Sequence, residues 1–145
     1  MLVRQILAMK GGGDVMTLSQ SASVADAARL LSEKRIGAIV ISEDGGVTAS
    51  GILSERDIVR ELGRRGAGCL SDQVADLMTR ELVSSAPDET ADQVMEKMTE
   101  GRFRHMPVLE EGRMIGLISI GDVVKARLSE LAMEKDALEG MIKGF

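Results

Sequence analysis

Apolar residues recur along this chain in two rhythms, a helical spacing of three and four and unbroken runs of strand length, and the same succession appears twice. Val3 to Met9 reads as a short helix packed by Ile6 and Leu7, followed by a flexible turn at Gly11-Gly12-Gly13. Val15 to Leu18 reads as a short strand. Ser23 then opens a helix whose residues Val24, Ala27, Ala28 and Leu31 line one buried face. The continuous apolar run from Ile36 to Ile41 predicts a buried strand. Glu43-Asp44-Gly45-Gly46 is turn chemistry leading to a second strand that ends at Leu53. The helix from Ser54 runs through Ile58, Val59 and Leu62 and stops in Gly63-Arg64-Arg65-Gly66, where glycine ends it and arginines suit the C-terminal dipole.

The order then recurs. Leu82 to Ser85 matches the first strand, Pro87 keeps the chain extended, and Thr90 opens a helix whose Ala91, Val94, Met95 and Met98 stand 67 residues beyond their counterparts. Arg104 to Val108 matches Gly37 to Ile41 at the same offset, while the hairpin at Glu110-Glu111-Gly112 is two residues shorter than the first. The closing stretch Gly116-Leu117-Ile118-Ser119-Ile120-Gly121-Asp122 repeats Gly51-Ile52-Leu53-Ser54-Glu55-Arg56-Asp57, with glycine, two aliphatics, serine and aspartate in register. In both copies Ser-x-x-Asp reads as a capping box where a strand turns into a helix, and Ser23 to Asp26 and Thr90 to Gln93 read the same way. A helix start of this kind presents unpaired N–H groups and partial positive charge, a seat for phosphate. On the residues alone, a cap and nothing more is the alternative.

The pattern predicts an α+β fold of two tandem βαββα repeats, packed about a pseudo-twofold axis with a cleft on either side. The repeats occupy 1–68 and 69–130, and 131–145 extends the last helix. That helix continues from Ser119 through Val124, Leu128, Leu131, Leu138 and Ile142 at nearly a 3.5 period, broken by Lys135. It either folds back over its own module or pairs with a second subunit, and the excess of apolar stripes predicts a homodimer.

Composition narrows the function. A chain of 145 residues can bury roughly 68–70% of its surface and fold alone. With no tryptophan or tyrosine, two phenylalanines and a net charge of -5, the core is aliphatic and methionine-rich, and nucleic acid is excluded as a partner. Cys69, the single cysteine, excludes an internal disulfide, and one cysteine with one histidine excludes a structural zinc site. A redox thiol beside Gly66 and Gly68 is the other reading of Cys69. No apolar run has the length of a membrane span or the form of a signal peptide, so the expected compartment is the cytoplasm with no membrane partner. No nucleophile elbow, His-Glu-x-x-His or P-loop is present, so the chain does not read as an enzyme.

The two closing motifs, together with Val74-Ala75-Asp76-Leu77-Met78-Thr79, Pro87-Asp88-Glu89-Thr90 and His105-Met106-Pro107-Val108, resemble a tandem cystathionine-β-synthase (CBS) domain pair, the Bateman module, over essentially the whole chain. The resemblance implies a stand-alone regulatory module that binds an adenine nucleotide (AMP, ADP, ATP or NAD) in the clefts between repeats. It requires no metal and acts on an unidentified regulated protein. It implies that Asp57 and Asp122 hold ribose hydroxyls while Ser54 and Ser119 lie near phosphate. One adenine site would use Thr17, Leu18, Gly37, Ala38 and Ile39, with Arg56 and Arg60 supplying charge. The other would use Ser84, Ser85, Arg104, His105, Met106 and Pro107. Adjacent strand residues point to opposite faces, so at most one of Arg104 and His105 is expected to face the ligand. With an unperturbed pKa near 6.5, a His105 facing phosphate would make binding tighten as pH falls from about 8 to about 6. A ligand-free structural or oligomerisation module is the competing function.

Overall fold

The computed structural model describes residues 1–11 and 15–143. Gly12 and Gly13 of the expected turn, and the last two residues of the expected helix extension, lie outside the described residues. In chain order the elements are α1 (Val3–Met9), β1 (Thr17–Leu18), α2 (Val24–Lys34), β2 (Ala38–Ile41), β3 (Gly51–Ser54) and α3 (Glu55–Arg65). A 3-10 turn at Ala67–Ser71 follows, then α4 (Val74–Leu77), α5 (Ala91–Gly101), β4 (His105–Glu110), β5 (Arg113–Ser119) and α6 (Ile120–Ile142). This is the expected α+β arrangement of two tandem repeats. Cys69 sits fully buried in the 3-10 turn, and a thiol closed off from solvent has no route to act as a redox group.

The first repeat builds a three-stranded sheet in which β1 runs parallel to β2 and β2 antiparallel to β3, with Leu18 opposite Ile41 and Ala38 opposite Ser54. The second builds only the β4–β5 hairpin, closed by Glu111 and Gly112, both at positive φ as a tight two-residue turn requires. The strand expected at Leu82–Ser85 reduces to one parallel bridge between Ser85 and Val108. Proline explains the difference. Ser85 donates to the Pro107 carbonyl and accepts from the Leu109 N–H, so the next rungs of a parallel ladder would need N–H groups from Pro87 and Pro107, the only two prolines in the chain. In the first repeat Val40 stands where Pro107 does, and its N–H donates to the Met16 carbonyl at 3.1 Å.

Each core is completed by a segment adjoining the other repeat. Val3 and Ile6 of α1 pack with Val94, Met98, Met106 and Ile118 of the second repeat, whereas Val74 and Met78 pack with Val24, Leu31, Ile39 and Leu53 of the first. Each such fully buried aliphatic contributes about 1.5–3 kcal/mol. The opposite sheet face joins the repeats. Ala38, Val40 and Ile52 meet Leu82, Met114 and Leu117, and Ile52 exchanges backbone hydrogen bonds with Thr79 at 3.1 and 2.9 Å. The motif glycines admit these crossings: a Cβ on Gly51 would stand 2.9 Å from the Thr79 carbonyl oxygen, and one on Gly116 would stand 2.8 Å from the Leu7 side chain.

The helix α6 does not fold back over its module. It continues as one rod of 23 residues, about 34 Å long, and leaves Leu138 60% and Ile142 85% exposed. Among the described residues, no helix is long and apolar enough to cross a membrane.

Candidate functional site

Two clefts open between the repeats, and both are built around the places where a strand turns into a helix. In each motif the extended serine caps the helix and the aspartate returns to the serine backbone. The Ser54 hydroxyl accepts from the Asp57 N–H at 3.2 Å and Asp57 Oδ2 accepts from the Ser54 N–H at 2.9 Å. The corresponding distances at Ser119 and Asp122 are 3.1 and 2.9 Å. These are full reciprocal boxes, as is Thr90 with Gln93, whereas Ser23 caps α2 without a returning bond from Asp26. Each motif carboxylate therefore spends Oδ2 on the cap and leaves Oδ1 outside it.

The cleft beside Asp57 has a volume of about 630 Å³. Ser54, Arg56, Asp57 and Arg60 form one wall, Thr79, Leu82 and Val83 a second, and Arg102, Phe103, Arg104 and His105 a third. Val83, left unpaired by the proline-broken ladder, is 45% exposed there. Arg60 reaches Asp57 Oδ1 at 3.4 Å, but among the described residues Arg56, Arg102 and Arg104 form no ion pair. The second cleft, of about 910 Å³, is lined by Lys10, Val15, Met16, Arg35, Gly37, Ala38, Gly116 and Leu117. There Lys10 bridges Asp122 Oδ2 at 2.9 Å and the Leu117 carbonyl at 2.8 Å. Burial works to raise the Asp122 carboxyl, but the Ser119 backbone N–H and Lys10 outweigh it and hold the group below its ordinary value.

His105 and Gly37 belong to both clefts. The imidazole lies against the glycine so closely that a Cβ on Gly37 would stand 3.0 Å from Cε1. Burial pushes the His105 pKa below 6.5, and the attraction of Asp122 and Glu55, opposed by Lys10 and Arg104, does not restore it. The ring is therefore neutral near pH 7, and the pH window expected from an unperturbed histidine moves below 6.5.

The structure regroups the residues expected at the two sites. Arg104 lines the cleft with Asp57, Ser54 and Arg56, and Ser119, Ile120 and Gly121 of the second motif line it as well, the Ile120 N–H donating to the Arg104 carbonyl at 2.8 Å. Arg104 precedes β4, so strand alternation does not apply to it, and both Arg104 and His105 line the Asp57 cleft. Gly37 and Ala38 line the second cleft with Ser119. Ile39 and Met106 are wholly inside the two cores, Pro107 is buried opposite Leu117, and Ser85 is buried at its bridge. Thr17 and Leu18 form β1, Leu18 packing on the first core, and the Ser84 carbonyl accepts from Lys97. None of these seven lines either cleft, and neither does Asp122, whose Oδ2 is held by the Ser119 N–H and Lys10. The chain reaches the clefts two residues earlier, at Val15 and Met16 and at Leu82 and Val83. Aligning the chain on itself at 67 residues pairs Val15 with Leu82 and Met16 with Val83, apolar in both copies, which is the signal that finds them. The same alignment pairs Arg35 with Arg102.

Comparison with known proteins gives the same architecture. The model of the CBS domain matches residues 3–64 and again 74–129. A crystal structure of a CBS-domain-containing protein from Agrobacterium tumefaciens is 46% identical, covers 88% of this chain and 99% of its own, and superposes with a TM-score of 0.83. A mitochondrial CBS-domain-containing protein of Arabidopsis thaliana is 37% identical over 84% of this chain, which spans 61% of that relative's length. A CBS-domain protein of Pyrobaculum aerophilum, complexed with AMP, is similar in fold, with a TM-score of 0.77 at 24% identity over 92% of this chain and 99% of its own. With both repeats matched in tandem, the chain belongs to the CBS-domain family as a CBS pair.

Proposed function

We propose that this chain is a regulatory sensor that binds an adenine nucleotide in the clefts between its repeats, with the cleft beside Asp57 as the principal site. The observation that carries the reading is the company Asp57 keeps. Arg56, Arg102 and Arg104 line the cleft with no ion pair among the described residues, although Glu55 and Glu81 line it too, in a chain whose net charge is -5. Guanidinium groups with no ion pair are free to meet an anion, and a carboxylate beside them suits the cis-diol of a ribose. In this reading Asp57 Oδ1 takes a ribose hydroxyl, the start of α3 and the arginines take phosphate, and Leu82, Val83 and Ile52 flank the base. The AMP in the Pyrobaculum relative supports an adenosine-type ligand. Subunits pair through the exposed apolar row of α6, and the response is passed to another protein.

The satisfied caps favour a second reading, a ligand-free structural module, because both Ser-x-x-Asp motifs already form complete capping boxes. A thermal-shift and calorimetric screen of AMP, ADP, ATP, NAD and S-adenosylmethionine separates the two. A native-state binder at a hundred times its Kd adds about 2.7 kcal/mol, a clear rise in Tm. No shift and no heat with any of them would favour the structural module. Light scattering addresses assembly, and a monomeric mass with and without nucleotide would remove the homodimer.

A further inference from the structure

We infer that Arg35 and Arg102 are paired anion-seating residues, one for each cleft, held where the backbone itself would favour glycine. The inference rests on the nucleotide reading above for the identity of the ligand. Both residues close a helix in the left-handed region, Arg35 at φ 53° and ψ 46° after α2, and Arg102 at φ 56° and ψ 42° after α5. The two ends are built alike. The Arg35 N–H donates to Leu31, and the next N–H, from Ile36, also reaches the Leu31 carbonyl; Arg102 and Phe103 share the Met98 carbonyl in the same way. Such an ending asks for φ above zero, which glycine adopts without strain and an L side chain resists. The hydrogen bonds come from the backbone, so glycine would serve them as well. What glycine would remove is the guanidinium.

Placement gives that group a task. Arg102 lines the cleft beside Asp57 and Arg35 lines the cleft beside Lys10 and Gly37, and neither forms an ion pair among the described residues. They are the same residue at the same point of both repeats, 67 positions apart, although the adjoining sequence differs, Lys34 in one copy and Gly101 in the other. A planar fork of donors suits the terminal phosphates of a di- or triphosphate. Complementing the helix dipole is the competing role; α2 already carries Lys34 in its last turn for that purpose, whereas α5 carries no basic residue there, so Arg102 is the residue for which the two roles must be separated by the test. The remaining non-glycine residue at positive φ among the described residues, Glu111 at 51°, lies in the β4–β5 turn outside both clefts and serves as control.

The test uses the whole chain and three substitutions, Arg102→Gly, Arg35→Gly and Glu111→Gly. Without ligand, each is expected to melt no lower than its parent. Calorimetry with ADP and with adenosine then reads Arg102→Gly in an Asp122→Ala background and Arg35→Gly in an Asp57→Ala background. The expected result is a loss of about tenfold or more for ADP with adenosine unchanged, while Glu111→Gly leaves both unchanged. A lower Tm with unchanged ADP affinity would make the arginines helix caps and overturn the inference, as would equal losses for ADP and adenosine. If the wild type binds neither, the nucleotide reading fails separately, and pyrophosphate decides the arginines. Binding that disappears in Arg35→Gly/Arg102→Gly sustains the inference, and binding that is absent or unaltered overturns it.

Discussion

The clefts beside Asp57 and Asp122 begin with the same motif and nearly the same cap, and they differ in what faces it. The serine–aspartate distances agree to 0.1 Å or better between copies. Yet Asp57 meets three unpaired arginines, whereas Asp122 meets Lys10, which the chain itself supplies. A duplicated motif thus fixes backbone and carboxylate, and the segments arriving from elsewhere decide what each carboxylate can hold. One cleft is charged and open to an anion. Each aspartate also engages one cation, Arg60 on the Oδ1 of Asp57 and Lys10 on the capping Oδ2 of Asp122.

The difference can be broken most directly at the carboxylates. Asp57→Ala is expected to weaken nucleotide binding by about 1.5–3 kcal/mol, roughly tenfold to a hundredfold, as loss of charge-assisted hydrogen bonds. Asp122→Ala should cost less in the same calorimetric titration; equal losses would mean that the two sites are equivalent after all. The glycines give the structural counterpart. Gly51→Ala drives a Cβ against the Thr79 backbone and is expected to destabilise by about 1–3 kcal/mol in urea denaturation, while Gly116→Ala meets only the movable end of Leu7 and should cost less. Reversal of that order would show that α1, not the Thr79 crossing, is the rigid contact.

A pH series sharpens the contrast at the shared wall. His105 has its pKa lowered in the folded state, so below 6.5 the unfolded chain binds the proton more readily; stability is full above 6.5 and declines as pH falls through the folded-state value. His105→Ala should flatten the fall between pH 7.5 and 5.5 measured by chemical denaturation, and an unaltered slope would assign it to other groups. Phosphate beside the ring pulls the pKa back up, so NAD, whose diphosphate stays ionised, should bind with proton uptake near pH 6 in the wild type and without it in His105→Ala. The smallest effect concerns Lys10. Removing a half-exposed ion pair worth at most about 1 kcal/mol, Lys10→Ala in an Asp57→Ala background should tighten adenosine binding by no more than about fivefold. Weaker binding instead would make Lys10 a ligand contact.

Much of this was legible in the chain because helix starts and aliphatic runs are local signals. Thr90, Ser54 and Ser119 cap where the residues say they should, and α1 occupies the expected Val3–Met9. The missing strand at Leu82–Ser85 was also written there, in Pro87 and Pro107, but only a knowledge of register shows that these two prolines would occupy the rungs on either side of the Ser85 bridge. The pairing of Arg104 with Asp57 is a different matter. It depends on how two repeats rotate against each other, and no spacing within one copy encodes that rotation. His105 is a related case, since burial lowers its pKa and the ring lies against Gly37 of the other repeat.

The exchange of α1 and α4 across the repeats has a consequence for how the molecule comes apart. Severed between Gly66 and Val74, either half would lose apolar residues that its core requires, Val3 and Ile6 on one side and Val74 and Met78 on the other. Melting therefore cannot begin in one repeat and spare its neighbour, and the pair unfolds as a single cooperative unit. By linkage, the free energy of a molecule bound in either cleft resists the opening of both.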